Sequence, residues 1–250
     1  DQRAQRRARA AEGPPAASDV GRLSDVATKD DHRLARALGQ EAGQLLVRLR
    51  DQMLADGVSG KELGAQGDAA AHALLIERLA IERPGDAVLS EEATRDEHAD
   101  MSRLDAPRVW IIDPVDGTRE YGEGRTDWAV HVALVQDHQP TAGAVALPGL
   151  SLVLGTDDPP TLVEPANPPR IVVSRTRPPD EARHIADALG ADLIGMGSAG
   201  AKAMAVVRGE AELYVHSGGQ YEWDSCAPVA VAAAAGLHVS RIDGSPLVYN

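Results

Sequence analysis

Residues 109–118 read VWIIDPVDGT, an apolar run followed by two carboxylates, a glycine and a hydroxyl. The apolar run predicts a buried strand. Proline suits the first turn of a helix, so a helix is predicted to begin at Pro114 and to hold Asp113 and Asp116 on one side of that turn. The free amides of such a helix start bind phosphate oxygens. The stretch therefore predicts a site for a cation and a phosphate where the strand ends.

Length, composition and charge limit the class of protein. The chain has 250 residues, of which 43% are hydrophobic, enough for a folded core but without a segment that could span a bilayer. The formal net charge of -13 disfavours binding to nucleic-acid polymers. The single cysteine, Cys226, cannot form an internal disulfide, and no Cys/His cluster has the spacing of a zinc site. We expect a soluble, cytoplasmic protein that binds no membrane.

Composition also indicates how the chain is divided. Four arginines lie within the first eleven residues, but no apolar run follows them, so a secretory signal is not supported and residues 1–18 are predicted to be a disordered terminus. Five prolines within residues 155–170 predict a linker. It would separate an N-terminal α+β part, residues 19–160, from a C-terminal α/β part, residues 161–250. The first part carries most candidate metal ligands, and the second supplies Asp224 and substrate contacts.

Apolar periodicity and turn residues predict the individual elements. Helices are predicted over 39–56, 68–81, 179–189, 199–208 and 224–235. Strands are predicted over 87–90, 109–112, 127–136, 141–147, 150–154, 170–174, 192–195, 211–216 and 237–241. Asp68 is expected to cap the second helix, and the strands after residue 127 are expected to form an antiparallel meander. Together the elements predict a layered α/β (α+β) fold.

Carboxylates recur at the predicted ends of elements: Asp68, Glu91, Glu92, Asp113, Asp116 and Asp224. Each alone has an ordinary explanation as a helix cap or a solvated charge. Oxygen ligands without thiolates or paired histidines suit Mg²⁺ or Mn²⁺. Two such ions can activate a water and stabilise the leaving oxygen of a phosphate ester. The set therefore predicts a metal-dependent phosphatase in which Asp113 bridges the ions.

Three sequence blocks, in this order, resemble those of the inositol-monophosphatase-like superfamily of Mg²⁺-dependent, lithium-sensitive phosphatases. The blocks are LSEE at 89–92, WIIDPVDGT at 110–118 and WDSCAP at 223–228, and the similarity runs from about residue 41 to residue 250. The resemblance implies a layered αβαβα sandwich, a homodimer, and two or three Mg²⁺ ions that Mn²⁺ can replace. Family members usually continue past the position of Asn250 with another strand and a short helix.

The resemblance also implies a role for individual residues. The expected metal ligands are Glu91, Asp113, the carbonyl of Val115, Asp116, Asp224 and Asp68. The expected catalytic residues are Asp68, Glu91 and Thr118. The expected substrate contacts are Val115, Asp116, Gly117, Thr118, Ser198 and Asp224. In the family, a threonine at the place of Thr118 orients the attacking water together with an acid such as Asp68. Family members often have a threonine before that acid, whereas this chain has Gly67.

The substrate is indicated by two further stretches, GSAGAK at 197–202 and HSGGQYEWD at 216–224. They look most like the CysQ branch of the family, the 3'-phosphoadenosine-5'-phosphate phosphatases of sulfate assimilation. The resemblance implies that the chain removes the 3'-phosphate to give AMP, with Ser198 contacting the nucleotide or sugar and Lys202 meeting a second phosphate. Inositol 1-phosphate and fructose 1,6-bisphosphate stay open as substrates.

Two other classes of function stay open. A haloacid-dehalogenase-like phosphatase forms an aspartyl phosphate at an Asp-x-Asp-Gly-Thr motif, but here two residues separate Asp113 from Asp116. A noncatalytic regulator that binds metal or nucleotide would keep the fold without turnover, although every expected carboxylate is present. His131 and Cys226 are predicted to be buried packing residues.

Overall fold

A computed structural model describes residues 27–99 and 101–250 of the chain. The helices are α1 (Lys29–Ala55), α2 (Gly60–Glu82), α3 (Arg95–Ala99), α4 (Thr118–Gly122), α5 (Asp180–Leu189), α6 (Ala199–Val207) and α7 (Glu222–Ala234). The strands are β1 (Ala87–Ser90), β2 (Val109–Asp116), β3 (Ala129–Gln136), β4 (Gln139–Leu147), β5 (Leu152–Gly155), β6 (Arg170–Ser174), β7 (Asp192–Met196) and β8 (Leu213–Tyr214). The predicted disordered terminus, residues 1–18, lies outside the described residues.

The strands form two sheets. The first has the order β1-β2-β3-β4-β5, in which β1 is parallel to β2 and the other neighbours are antiparallel, as the predicted meander requires. The second has the order β7-β6-β8 and is parallel. Helices connect the strands of the second sheet, as parallel neighbours need crossover connections. The first sheet is therefore antiparallel except for β1, and the second half of the chain is α/β.

Alternating side chains of β2 contribute to two separate cores. Trp110 and Ile112 belong to the core that α1 and α2 cover, while Val109 and Ile111 belong to the core under α6 and α7. Burying a side chain of this size stabilises the fold by about 1.5–3 kcal/mol. The opposite side of α6 packs on β6, and α5 covers the far face of the second sheet. The resulting five layers confirm the αβαβα sandwich.

Helix α2 begins earlier than the sequence predicted. Asp68 does not cap it, because the helix begins at Gly60 and Asp68 lies within it. Glycine lowers helix propensity, so the glycines of this segment hid the helical pattern. Two of them are needed for close packing: a Cβ added at Gly64 would lie 2.7 Å from Thr118 Cγ2, and Gly67 similarly faces an aromatic ring. Close contact with α4 thus outweighs helix propensity here.

The other differences are a shifted helix start and one predicted strand that does not form. Helix α1 begins at Lys29 because Thr28 caps it: the Thr28 hydroxyl accepts a hydrogen bond from the Asp31 N–H at 3.2 Å, and the Thr28 N–H donates to Asp31 Oδ2 at 3.0 Å. Residues 237–241, predicted as a strand, do not form one. Residues 156–169 contain no regular element, as expected of a linker, while the division into parts 19–160 and 161–250 stays a prediction. None of the described helices combines the length and apolar character that crossing a membrane requires.

Candidate metal and phosphate site

Strand β2 supplies two carboxylates of the site. It continues through Pro114 to Asp116, so the helix predicted at Pro114 is wrong. Residues three apart in a regular strand face opposite sides, but the pairing with β3 shifts register between Asp113 and Asp116, and this bulge re-aims the side chains. Gly117 then turns the chain into α4 with a φ of 91°, a conformation that favours glycine. The strand end thus carries both carboxylates into the site without a helix.

Asp113 is a buried carboxylate that faces the carboxyl group of Glu91 and receives no hydrogen bond from an N–H donor of the described residues. It is 1% exposed, and neither of its oxygens accepts a hydrogen bond from the described residues. Burial, together with the charges of Asp116 and Glu91, raises its pKa well above the usual range. A buried polar group without a partner costs free energy. A bound cation would remove this cost.

Asp116 is held by the start of helix α6. Its Oδ1 accepts the Ala199 N–H at 3.1 Å, and its Oδ2 accepts the Gly200 N–H at 2.6 Å. The Nε2 atom of His131 lies 3.2 Å from the same Oδ2. Burial raises the pKa of Asp116, but the charge of His131 and the backbone bonds outweigh burial and lower it. His131 and the N-terminal amides of α6 together therefore favour the ionised form of Asp116.

Asp224 joins these two carboxylates from the first turn of α7. Its Oδ2 accepts the Tyr221 N–H at 2.6 Å. One carboxylate oxygen from each of Asp113, Asp116 and Asp224 lies within 4.8 Å of the others. Burial raises the pKa of Asp224. The fold therefore brings together the central and the last of the three sequence blocks, in an arrangement that could hold a cation.

Glu91 and Asp68 extend the acidic site. Burial, together with the charges of Asp224 and other carboxylates, raises the pKa of Glu91 to about 7. Burial also raises the pKa of Asp68 to about 7, and the charges of Glu92 and Glu91 contribute to the shift. Like charges disfavour ionisation when they are close. The site therefore concentrates negative charge that the described residues do not neutralise fully.

Thr118 connects two of the predicted site residues. Its Oγ1 lies 3.1 Å from the Val115 carbonyl oxygen and 3.3 Å from Asp68 Oδ1. A hydroxyl has one hydrogen, so it donates to one of these acceptors at a time and keeps its lone pairs as acceptors. The Thr118 hydroxyl can thus donate to the Asp68 carboxylate and at the same time accept a hydrogen bond from another group.

Ser198 also lies at the site, next to Gly117. A Cβ added at Gly117 would be 2.9 Å from Ser198 Cβ. The Ser198 hydroxyl accepts the Ala201 N–H at 2.9 Å and caps α6. Lys202 Nζ donates to the carbonyls of Gly197 and Ser198 and is 5% exposed. Lys202 therefore holds this turn, and its contact with a second phosphate stays a prediction.

His131 contributes more than the packing role that the sequence indicated. It is fully buried, as predicted, but its Nδ1 donates to the Trp223 carbonyl at 2.9 Å while Nε2 faces Asp116. Burial lowers the pKa of His131, but the charge of Asp116 outweighs burial and raises it. Strand periodicity could not predict the hydrogen bond between His131 and Trp223, because that bond depends on how α7 packs against β3.

Comparison with protein families agrees with this site. Residues 27–250 match the profile of the inositol monophosphatase family. The chain belongs to this family. The matched range includes all the acidic residues of the site, from Asp68 to Asp224, and it confirms the resemblance that the three sequence blocks carried.

Relatives within the inositol monophosphatase family include two mycobacterial proteins named 3'-phosphoadenosine 5'-phosphate phosphatase. The one from Mycobacterium leprae is 49% identical over 236 residues, covering 88% of this chain and 84% of the relative. The one from Mycobacterium bovis is 51% identical over 220 residues, covering 84% of this chain and 80% of the relative. The solved structure of CysQ from Bacteroides thetaiotaomicron is 26% identical, with a TM-score of 0.69 over 83% of this chain and 87% of that structure.

Proposed function

We propose that this protein is a Mg²⁺-dependent phosphatase that hydrolyses the 3'-phosphate of 3'-phosphoadenosine 5'-phosphate to give AMP and phosphate. The metal dependence rests on Asp113, a buried carboxylate with two unpartnered oxygens beside Asp116 and Asp224. The choice of substrate rests on relatives about half identical to this chain that are named phosphatases of this nucleotide. Removal of the 3'-phosphate is the reaction that joins these two observations.

The donor set of the site fits Mg²⁺, because it consists of carboxylate and carbonyl oxygens. The residues proposed to hold the ions are Glu91, Asp113, Val115 through its carbonyl, Asp116, Asp224 and, for a third ion, Asp68. When bound, Mg²⁺ supplies activation of the attacking water and stabilisation of the leaving oxygen. Mn²⁺ has the same ligand preferences and is proposed as a substitute.

Thr118 and Asp68 are proposed to position the attacking water. A lone pair of Thr118 Oγ1 accepts a hydrogen bond from the water, while the hydroxyl hydrogen is donated to Asp68 Oδ1, 3.3 Å away. This contact would orient the water so that a lone pair of its oxygen faces phosphorus. Glu91, which lies in the same acidic site, is proposed to accept the proton that this water loses as its oxygen bonds to phosphorus, while the 3'-oxygen of the leaving AMP takes a proton from solvent.

The phosphate is proposed to lie at the turn between β2 and α4. The amides of Gly117 and Thr118 would donate to its oxygens, since this turn adjoins the carboxylates that bind the ions. Ser198 lies directly against Gly117 and is proposed to contact the ribose side of the substrate.

Phosphate release with Mg²⁺ tests the proposed function. We expect a higher kcat/KM for 3'-phosphoadenosine 5'-phosphate than for inositol 1-phosphate or fructose 1,6-bisphosphate, and inhibition by Li⁺. The Asp113→Asn variant, purified in the same way, controls for contaminating phosphatases. A clear preference for either sugar phosphate would reject the nucleotide as the substrate. No release from any of the three would favour the noncatalytic regulator.

We also propose that the protein acts as a homodimer in the cytoplasm, in sulfate assimilation. The single cysteine suits a reducing compartment, where disulfides do not support folds. Light scattering on the purified protein should give twice the chain mass of 26.3 kDa. A mass that stays at the monomer value over a hundredfold range of concentration would reject the dimer.

A further inference from the structure

Three rings stack beside the acidic site. The Tyr221 and Trp223 ring centroids lie 4.8 Å apart with an angle of 12° between the planes. The His98 and Trp223 rings lie 5.5 Å apart at 9°. The Tyr221 N–H donates to the predicted metal ligand Asp224 at 2.6 Å, so the segment that carries this stack borders the acidic site.

The inner end of this stack is fixed by hydrogen bonds. His98 Nε2 donates to the Ser90 carbonyl at 2.8 Å, one residue before Glu91. The carbonyl of Trp223 accepts the His131 Nδ1 hydrogen at 2.9 Å. Trp223 is therefore held through both its ring and its backbone. A ring that stacks on Trp223 rests on a rigid support.

Tyr221, at the outer end, is 68% exposed. Its neighbours are tied down: Gln220 Nε2 donates to the Tyr214 hydroxyl at 3.2 Å, and Glu222 accepts the Asn250 N–H at 2.6 Å. The backbone of Tyr221 is fixed as well, by its bond to Asp224. The chain therefore holds an exposed aromatic ring at a defined position.

Open space lies along the chain just before Tyr221. A Cβ added at Gly218 or Gly219 would meet no atom of the described residues within 4 Å. Two of the other tyrosines, Tyr121 and Tyr249, are 0% and 3% exposed and serve the core. Packing thus explains those two tyrosines, but it does not explain why the ring of Tyr221 is presented to solvent.

We propose that the exposed ring of Tyr221 is the platform on which the purine base of the substrate stacks, and that this contact gives the enzyme its preference for nucleotides over sugar phosphates. The inference rests on the proposed function. A flat aromatic ring offers a purine a large apolar surface at little entropic cost, whereas a cyclitol or furanose has no π-face to offer. The acidic site would recognise the phosphate in all these substrates, and Tyr221 would recognise the base.

Stacking of one base on one aromatic side chain changes affinity by about 5- to 150-fold when the ring is removed. Tyr221→Ala removes the ring, and Tyr221→Phe keeps it. The backbone bond from residue 221 to Asp224 is available in both variants, so the start of α7 can form in each. Comparing the two variants therefore separates the contribution of the aromatic ring from that of the backbone hydrogen bond.

Calorimetric titration with Mg²⁺ provides the test, using AMP and ribose 5-phosphate as ligands that differ by the base. We expect the wild type and Tyr221→Phe to bind AMP more tightly than ribose 5-phosphate. Tyr221→Ala should lose about 5- to 150-fold in affinity for AMP and should lose less for ribose 5-phosphate. Tyr221→Ala should also show a larger fall in kcat/KM for 3'-phosphoadenosine 5'-phosphate than for inositol 1-phosphate, whereas Tyr221→Phe should stay close to the wild type for both.

Equal losses for both ligands in Tyr221→Ala would overturn the proposal and would assign the ring a structural role. Unchanged affinity for AMP would overturn it too. Failure of the proposed function has a different signature, because the wild-type enzyme would then prefer a sugar phosphate before any substitution is made.

Discussion

Asp31 and Asp113 are both 1% exposed, yet their surroundings are opposite. Asp31 accepts hydrogen bonds from Arg83 at 2.9 Å and from Arg108 at 2.8 Å, and it caps α1 through Thr28. The two oxygens of Asp113 accept none from the described residues. Two equally buried carboxylates can therefore differ in how well their surroundings stabilise the ionised form.

The difference appears in the direction of the pKa shifts. Burial raises the pKa of Asp31, but the hydrogen bonds from Arg108, Thr28 and Arg83 outweigh burial and bring the pKa far below its usual value. For Asp113, burial and the neighbouring acids all act to raise the pKa. The charge of Asp31 therefore has its partners within the chain, whereas that of Asp113 has only other acids around it.

The largest expected effect comes from Asp113→Asn. We expect kcat/KM with Mg²⁺ to fall by more than about 100-fold, because loss of an outer-shell partner of a metal ligand alone costs about 10- to 100-fold. Without metal, the variant should be at least as stable as the wild type, since a buried unpartnered charge is gone. Phosphate release and urea unfolding in EDTA measure the two effects. Activity within tenfold of the wild type would show that Asp113 is not a metal ligand.

Asp31→Asn should have the opposite effect. Arg83 and Arg108 lose a charged acceptor, so the free energy of unfolding should fall by about 2–4 kcal/mol. Urea unfolding provides the measurement. Asp30→Asn is the matched control: its side chain is 80% exposed and its nearest ion pair is long, so it should change stability by less than about 0.5 kcal/mol. Equal effects of the two substitutions would mean that the Asp31 contacts contribute nothing.

Mg²⁺ should stabilise the protein through Asp113, and the gain should not depend on the Asp31 contacts. At about 100 times its dissociation constant, Mg²⁺ should raise the free energy of unfolding of the wild type by about 2.7 kcal/mol. Asp31→Asn should gain a similar increment, and Asp113→Asn a much smaller one. Urea unfolding in Mg²⁺ and in EDTA gives the increments. An undiminished gain in Asp113→Asn would place the ion elsewhere.

The smallest expected effect is the loss of the stability contributed by Asp31 at low pH. Because the folded pKa of Asp31 is depressed, its stabilisation is fully present above the unfolded pKa near 4 and is lost as pH falls toward the folded value. Between about pH 5 and pH 3 this loss amounts to about 1 kcal/mol. The difference in stability between wild type and Asp31→Asn should therefore shrink over this interval in urea titrations. A constant difference would contradict the depressed pKa.

The strands that lead to the site could be predicted because their patterns are local, although β2 continues to Asp116 where a helix was predicted from Pro114. The alternation along β2 that separates Trp110 from Ile111 is a property of a few adjacent residues. The start of α2 could not be predicted, since Gly64 and Gly67 weaken the helical pattern and their use becomes apparent only when α4 lies against them. Helix propensity is a property of α2 alone, whereas the role of these glycines depends on the packing of α2 against α4.

The acidic residues could be named from the sequence, but their partners could not. The motif around Asp113 indicated oxygen ligands for a cation, and the fold brings Asp224 to it. That the amides of Ala199 and Gly200 hold Asp116 follows from the docking of α6 on the sheet, which no local pattern encodes. The stack on Trp223 was missed for the same reason, because His98 and Tyr221 approach it from separate segments.

The position of Asp224 on α7 has a consequence for the order of folding. The cluster is complete only after α7 has docked on the first sheet, and docking brings a third negative charge to Asp113 and Asp116. Like-charge repulsion opposes this last step, and a divalent cation relieves it. We therefore expect the ion to act as a late folding partner that closes the C-terminal helix onto a sheet already formed.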